Sequence, residues 1–219
     1  IGITLMLLVA ANLLSWRFVD PDLWGHIQYG EDWIAEGALP RVASHTYSAV
    51  GHPWVNHENL SELALAYSHR MVGGVGIMLL KLAAGMLMLL VMIRLAHRRG
   101  VPWWAATICM LPVASGLGEF WLARPQLASF LCMAALLTLL DRALFAQPDA
   151  RRPRTRLLWF CVPLMIVWTN SHGGFAAGLC VLLSALGIHS AQLFLSGGSD
   201  DRSTLWTMVG VGVLSVTAT

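Results

Sequence analysis

The sequence predicts an all-α polytopic membrane protein of about seven transmembrane helices, with a long first outer loop that contains short amphipathic helices. Three observations carry that expectation. Hydrophobic residues make up 57% of the 219 and charged residues 12%, with a mean hydropathy of +0.64, whereas soluble domains carry charge on about a quarter of their residues. Seven apolar stretches recur, each near or somewhat below the ~20 residues a bilayer requires: 1–16, 74–95, 102–117, 125–145, 157–169, 175–195 and 205–219. Between the first two lies a polar loop holding seven of the twelve acidic residues (Asp20, Asp22, Glu31, Asp32, Glu36, Glu58, Glu62) and five of the eight histidines (His26, His45, His52, His57, His69).

The chain reads as one transmembrane domain, 1–219, with 17–73 as an outer-face loop subdomain. Its start on Ile1 and its end inside an apolar stretch at Thr219 read as a piece of a longer protein. The first stretch is not read as a cleaved signal peptide, because Ser15-Trp16-Arg17 lacks the small-x-small cleavage pattern.

Orientation follows from arginine. Arg94, Arg98 and Arg99 follow the second stretch and Arg142, Arg151, Arg152, Arg154 and Arg156 the fourth, while the longer first loop has only Arg17, Arg41 and Arg70. Basic loops stay cytoplasmic, so the first loop and the turns at 119–124 and 170–174 share the outer face, and the chain reads as an integral protein of a bacterial inner membrane with its first loop periplasmic. Trp16, Trp103, Trp104, Trp121, Trp159, Trp168 and Trp206 fall near span ends, as an interfacial aromatic belt would. The net charge of +2 comes from loop arginine and gives no reason to expect nucleic acid. Cys109, Cys132, Cys161 and Cys180 lie in different apolar stretches without CxxC spacing and read as reduced packing residues.

Asp20-Pro21 reads as a helix N-cap with proline at the first helical position, and Gly37 with Pro40 as the stop. The helix between is amphipathic, with Leu23, Ile27 and Ile34 at helical spacing, which suits the membrane surface. Asp22 and His26 stand one turn apart. Two readings of Asp20 remain open, a cap and a reactive carboxylate. For Asp22, beside a histidine at the mouth of a bundle, the favoured role is general base or cation ligand.

Residues 42–55 alternate and turn at Gly51-His52-Pro53, which suggests a short ribbon or ordered loop. Asn59 with Glu62 three residues later resembles a capping box opening a second outer helix. Glu62 then reads as a solvated helix start, while His57 and Glu58 are equally open to function. His45, His52 and His69 read as loop polar groups. Zinc is not favoured, because His57-Glu58 lacks the second histidine of HExxH; an oxygen-ligated divalent cation held by Asp20 and Asp22 is the better expectation.

Arg124-Pro125-Gln126 opens the fourth stretch. An outer arginine against the charge bias is either a phosphate clamp or a group that snorkels to lipid or pairs with Glu119. Asn170-Ser171-His172-Gly173-Gly174 breaks two apolar runs, and such breaks survive at membrane depth when buried in protein or facing a wet cavity. Asn170 and His172 are therefore substrate-contact candidates, alongside the rival reading of a tight turn enabled by the glycines. Asn12 reads as a hydrogen-bonding partner for a neighbouring helix.

In this order and membrane placement, the motifs resemble the N-terminal part of the GT-C superfamily of polytopic membrane glycosyltransferases. That superfamily includes protein O-mannosyltransferases, aminoarabinose transferases and many bacterial membrane proteins. The resemblance is carried by Asp20-Pro21-Asp22-Leu23-Trp24-Gly25-His26, the helix to Gly37-Ala38-Leu39-Pro40, and the stretch 44–48. It continues through Gly51-His52-Pro53-Trp54-Val55-Asn56-His57-Glu58, then Arg124-Pro125-Gln126 and Trp168-Thr169-Asn170-Ser171-His172-Gly173. It implies a GT-C-like helical fold and transfer of a sugar from a lipid-phosphate donor at the outer face. The acidic residue after the first span would be catalytic base or cation ligand, on Asp20 or Asp22. His26, His57, Glu58, Arg124, Gln126, Asn170 and His172 are the substrate-binding candidates. The second half of the usual fold is not in this sequence. A non-catalytic membrane subunit on the same scaffold, bound to other integral membrane proteins, is the alternative. A transporter ranks last, because paired helix breaks in corresponding halves are not seen.

Overall fold

A computed structural model describes residues 2–15, 20–118, 121–145, 154–196 and 202–219. Among them are nine α-helices and no strand: α1 (Gly2–Leu14), α2 (Leu23–Glu36), α3 (Asn59–Val72), α4 (Gly74–Arg98), α5 (Trp103–Gly118), α6 (Gln126–Leu144), α7 (Cys161–Thr169), α8 (Phe175–Ser196) and α9 (Arg202–Thr217). A 3-10 segment, Thr155–Phe160, leads into α7. Trp16, Arg17, Glu119, Arg151 and Arg152, all used in the sequence reading, lie outside the described residues.

Every expected apolar stretch coincides with a helix. Three are long and apolar enough to cross a membrane: Gly74–Arg98, Gln126–Leu144 and Phe175–Leu195. The helices in the other four have 13, 16, 9 and 16 residues (α1, α5, α7 and α9). At ~1.5 Å rise per residue these span about 14–24 Å, short of the ~30 Å hydrocarbon layer. In the stretch at 157–169 a 3-10 segment takes the place of the first α-helical turns, a distinction that hydropathy does not make.

The chain forms two compact units, Ile1–Ala128 with Asn170–His172, and Ser129–Thr169 with Gly173–Thr219. In the first, α1 packs with α4 and α5, and α3 joins α2 to α4. Leu23 and Ile27 of α2 meet Leu65, Ile77 and Ala123 in one buried cluster, so the apolar face of α2 is spent on protein. Gly85 of α4 lies against Leu14 and the Trp121 ring, and Trp121 Nε1 donates to the Lys81 carbonyl at 3.1 Å.

In the second unit, Leu136, Leu140, Leu158, Cys161, Met165, Trp168, Leu182, Met208 and Val211 form the core. Trp168 packs on Gly178 and donates from Nε1 to Ser129 Oγ at 2.8 Å. Small residues that let a large ring approach a backbone are the usual device for packing helices where lipid supplies no hydrophobic drive.

Three expectations are corrected here. Trp121 and Trp168 are fully buried core residues, whereas Trp103, Trp104, Trp159 and Trp206 are exposed as belt residues would be. Each buried indole N–H has found an acceptor, which removes the reason for it to seek the interface. Among the cysteines, all free, Cys132 and Cys161 are packed while Cys109 and Cys180 are exposed. Asn12 is also exposed, not turned to a neighbouring helix, and its carbonyl accepts from Ser15 N–H at 3.2 Å and Ser15 Oγ at 2.8 Å.

Candidate functional site: a carboxylate, imidazole and guanidinium cluster in the first unit

The site begins with the entry to α2. Asp20 Oδ1 accepts the Asp22 N–H at 2.8 Å, the bond an N-cap makes two residues on, and the Asp20 carbonyl accepts Leu23 N–H at 3.1 Å. The regular helix starts at Leu23, slightly after the expected first position. It ends at Gly37, whose N–H bonds to the Trp33 carbonyl and whose φ of 67° turns the chain out of the helix. Between these ends the helix has a fixed rotation, with Leu23, Ile27 and Gly30 inward and His26 beside them.

The Asp20 carboxylate is fully buried, and its Oδ2 pairs with Arg124 Nε. Arg124 also donates from Nη2 to Asp22 Oδ2 at 3.2 Å. Asp22 is 69% exposed at its side chain and Arg124 39%, so this pair opens to the surface while Asp20 anchors it from below. Arg124 thus has carboxylate partners within the first loop.

The second half of the cluster comes from α3. A remote turn holds its start: Leu60 N–H donates to the Asn170 carbonyl at 2.9 Å, and the Ser61 hydroxyl to the Ser171 carbonyl at 2.8 Å. Asn59 and Glu62 do not form the expected capping box. The residue before the helix is Glu58, without a side-chain cap, and Asn59 Nδ2 turns back to the Asn56 carbonyl at 3.0 Å. Glu62 instead points inward, 5% exposed at its side chain, with Oε1 3.2 Å from His26 Nδ1 and Oε2 accepting from Asn56 Nδ2. It is the main residue that the sequence reading placed in solvent. Two signals were available: its one-turn spacing from Glu58, and the apolar Leu65 and Ala66 three and four positions later, which mark the inward face of α3.

Glu58 stands between two imidazoles, its Oε2 3.9 Å from His26 Nδ1 and its Oε1 3.8 Å from His172 Nε2. Burial alone would lower the His26 pKa. The hydrogen bond to Glu62 and the charges of Glu58, Glu62 and Asp22 outweigh it, so His26 is held above its ordinary value. His172 goes the other way: burial lowers it, Glu58 opposes, and His57 and His26 add to the lowering. Asp22, adjacent to both Arg124 and the field at His26, links the two halves.

The structure therefore gathers Asp20, Asp22 and Arg124, and beside them His26, Glu58, Glu62 and His172. His57 is exposed at the edge, felt by His172 through charge. Asn170 takes part through its carbonyl. Gln126 is half-buried at the first position of α6. As for a cation between Asp20 and Asp22, the Arg124 guanidinium already stands there, and both Asp20 oxygens are engaged. That arrangement does not suit a metal. The donors that converge as metal ligands do are His26, Glu58 and Glu62, whose ligand atoms lie within 4.8 Å of one another.

Residues 41–54 form a short ordered loop with a single Val42–Pro53 bridge and bonds from Ala43 N–H to the His52 carbonyl and Trp54 N–H to the Arg41 carbonyl, each 2.9 Å. Tyr29 of α2 stacks on Trp54 and meets His45 edge-on, while His45 Nε2 sits 2.6 Å from Asp32 Oδ2. No protein-family model, no curated protein and no solved structure matches the chain.

Proposed function

We propose that the chain is part of a GT-C-type membrane glycosyltransferase that moves a sugar from a polyprenyl-phosphate donor to a hydroxyl acceptor at the outer membrane face. The observation that supports this most is the pairing of Asp22 with Arg124, an exposed carboxylate and a guanidinium brought together from positions 102 residues apart.

In the proposed reaction Asp22 takes the proton of the acceptor hydroxyl as its oxygen attacks the anomeric carbon. The bond from that carbon to the phosphate oxygen breaks, the configuration inverts, and polyprenyl phosphate leaves with its electron pair. Among the described residues Arg124 is ion-paired through Nε with Asp20 and donates from Nη2 to Asp22. Its remaining donors are available to the departing phosphate. Asp20, buried and with both oxygens engaged, positions Arg124 and is not the base. His26 and His172 border the acceptor side.

The test is donor turnover by the full-length protein in lipid nanodiscs, using a polyprenyl-phosphate sugar and scoring release of polyprenyl phosphate. Asp22→Asn at unchanged melting temperature should abolish release. Turnover retained in that variant rejects Asp22 as base. A parent protein without turnover that copurifies stoichiometrically with other integral membrane proteins favours the non-catalytic subunit.

A further inference from the structure

We propose that His26, Glu58 and Glu62 form a binding site for one divalent cation of the zinc and manganese class, with His172 at its margin. The inference does not rest on the glycosyl-transfer reading.

The first argument is distance. Ligand atoms held ~2.0–2.2 Å from a tetrahedral zinc lie about 3.3–3.6 Å from one another. His26 Nδ1 is 3.2 Å from Glu62 Oε1 and 3.9 Å from Glu58 Oε2, and the three donors fall within 4.8 Å. They come from two elements, α2 and the start of α3, and point at a common centre.

The second argument is what Glu58 lacks. At 3.9 Å from His26 and 3.8 Å from His172 its oxygens are too far for hydrogen bonds to either ring. An ordinary His26–Glu62 ion pair explains Glu62 and leaves Glu58 facing two imidazoles across gaps that neither closes. A cation shared by Glu58, Glu62 and His26 explains both carboxylates together.

Charge points the same way. Four carboxylates, Asp20, Asp22, Glu58 and Glu62, share this region with one guanidinium, and that guanidinium is committed to the first two. Glu58 and Glu62 stand one helical turn apart, with Glu62 N–H on the Glu58 carbonyl at 3.0 Å, and Glu62 is almost wholly buried. Like charges at that spacing repel, and the His26 ring, bonded to Glu62 at 3.2 Å, closes on only one of the two carboxylates.

The support for the ligands is also built. Asn56 donates from Nδ2 to Glu62 Oε2 and accepts the Glu58 N–H on Oδ1 at 2.9 Å, so one amide orients both carboxylate residues. Asn59 in turn holds the Asn56 carbonyl. Hydrogen bonds that fix ligating carboxylates are a regular part of metal sites. One imidazole nitrogen with carboxylate oxygens suits zinc or manganese better than the all-oxygen preference of calcium and magnesium or the thiolate preference of copper(I).

The experiment is metal content and metal-dependent melting of the purified protein in detergent, stripped with chelator and then dialysed against Zn²⁺, Mn²⁺ or Mg²⁺. About one Zn²⁺ or Mn²⁺ per chain should remain after desalting, with a raised melting temperature, and Mg²⁺ should do neither. His26→Gln and Glu58→Gln should weaken binding on the order of tenfold or more, while His45→Gln and His52→Gln should bind as the parent does. The metal-induced rise in the parent is a readout even if a variant fails to fold. Absence of bound metal in the parent, or equal retention in His26→Gln and Glu58→Gln, overturns the proposal. Because no turnover is measured, this outcome is separate from that of the transfer test.

Discussion

Gly30 on α2 lies against the backbone of Glu62 on α3: a β-carbon at Gly30 would come within 2.3 Å of the Glu62 carbonyl oxygen and 2.7 Å of the Ala66 β-carbon. The two helices that carry His26 and Glu62 are registered at this point. A backbone carbonyl cannot swing aside as a side chain can, so Gly30→Ala should push the helices apart and cost about 1–3 kcal/mol. Gly25→Ala, with nothing within 4 Å, serves as control. Thermal unfolding in detergent should separate the two variants; equal melting temperatures would show that α2 and α3 do not meet here.

Removing Arg124 leaves Asp20 buried beside no guanidinium. Arg124→Gln should therefore destabilise by the lower end of the ~3–5 kcal/mol typical of broken buried pairs, because the arginine itself is partly exposed. Asp20→Asn in the same chain should recover much of the loss, since the neutral amide needs no counter-charge. Chemical unfolding of the single and double variants provides the check, and additive losses would mean the two residues are not coupled.

Within α8 two glycines should respond oppositely. A β-carbon at Gly178 would lie 2.2 Å from the Trp168 ring, which is buried and held by Ser129, whereas Gly187 has nothing within 4 Å. Gly178→Ala should destabilise by about 1–3 kcal/mol, and Gly187→Ala should be neutral or stabilising by up to about 1 kcal/mol through helix propensity. Tryptophan fluorescence during unfolding reports both. A neutral Gly178→Ala would remove Trp168 from that position.

The loop at 41–54 should open in acid. Burial alone would raise the Asp32 pKa, but hydrogen bonds from His45 and Gln28 and the His45 charge hold it below the ordinary carboxylate value. A depressed acid contributes stability that is present above that ordinary value, ~4, and is lost as pH falls through the lowered one. The protection of the Ala43 and Trp54 amides, which close the loop, measured relative to their intrinsic exchange rates, should fall below about pH 4. In Asp32→Asn the same amides should already exchange faster at neutral pH, with a flatter acid response. An unchanged profile in that variant would show that Asp32 does not hold the loop.

Much of the frame was readable from residues. Asp20 makes the cap bond that its place before Pro21 suggested, Gly37 stops α2 in the left-handed conformation, and a helix occupies each apolar stretch. What escaped depends on contacts between distant segments. Glu62 looked like a solvated capping residue because capping is a local pattern, while its burial is decided by His26, thirty-six residues earlier, and by Asn56. Trp121 and Trp168 sat at apolar ends like belt residues; only Gly85 and Gly178, on other helices, make room for them inside. The division of the stretch at 157–169 into a 3-10 segment and a short α-helix also escaped, since a hydropathy window does not tell the two helix types apart.

Asn170–His172 belongs with the first 128 residues although the chain on both sides of it belongs elsewhere. The polypeptide consequently passes from one unit to the other three times, and the first unit is completed only after position 172 has been made. A C-terminal deletion that stops anywhere before 170 would strip Leu60 and Ser61 of their acceptors and Glu58 of one imidazole neighbour. Expression of a shortened chain should therefore damage the polar cluster even though every acidic member of it is still encoded.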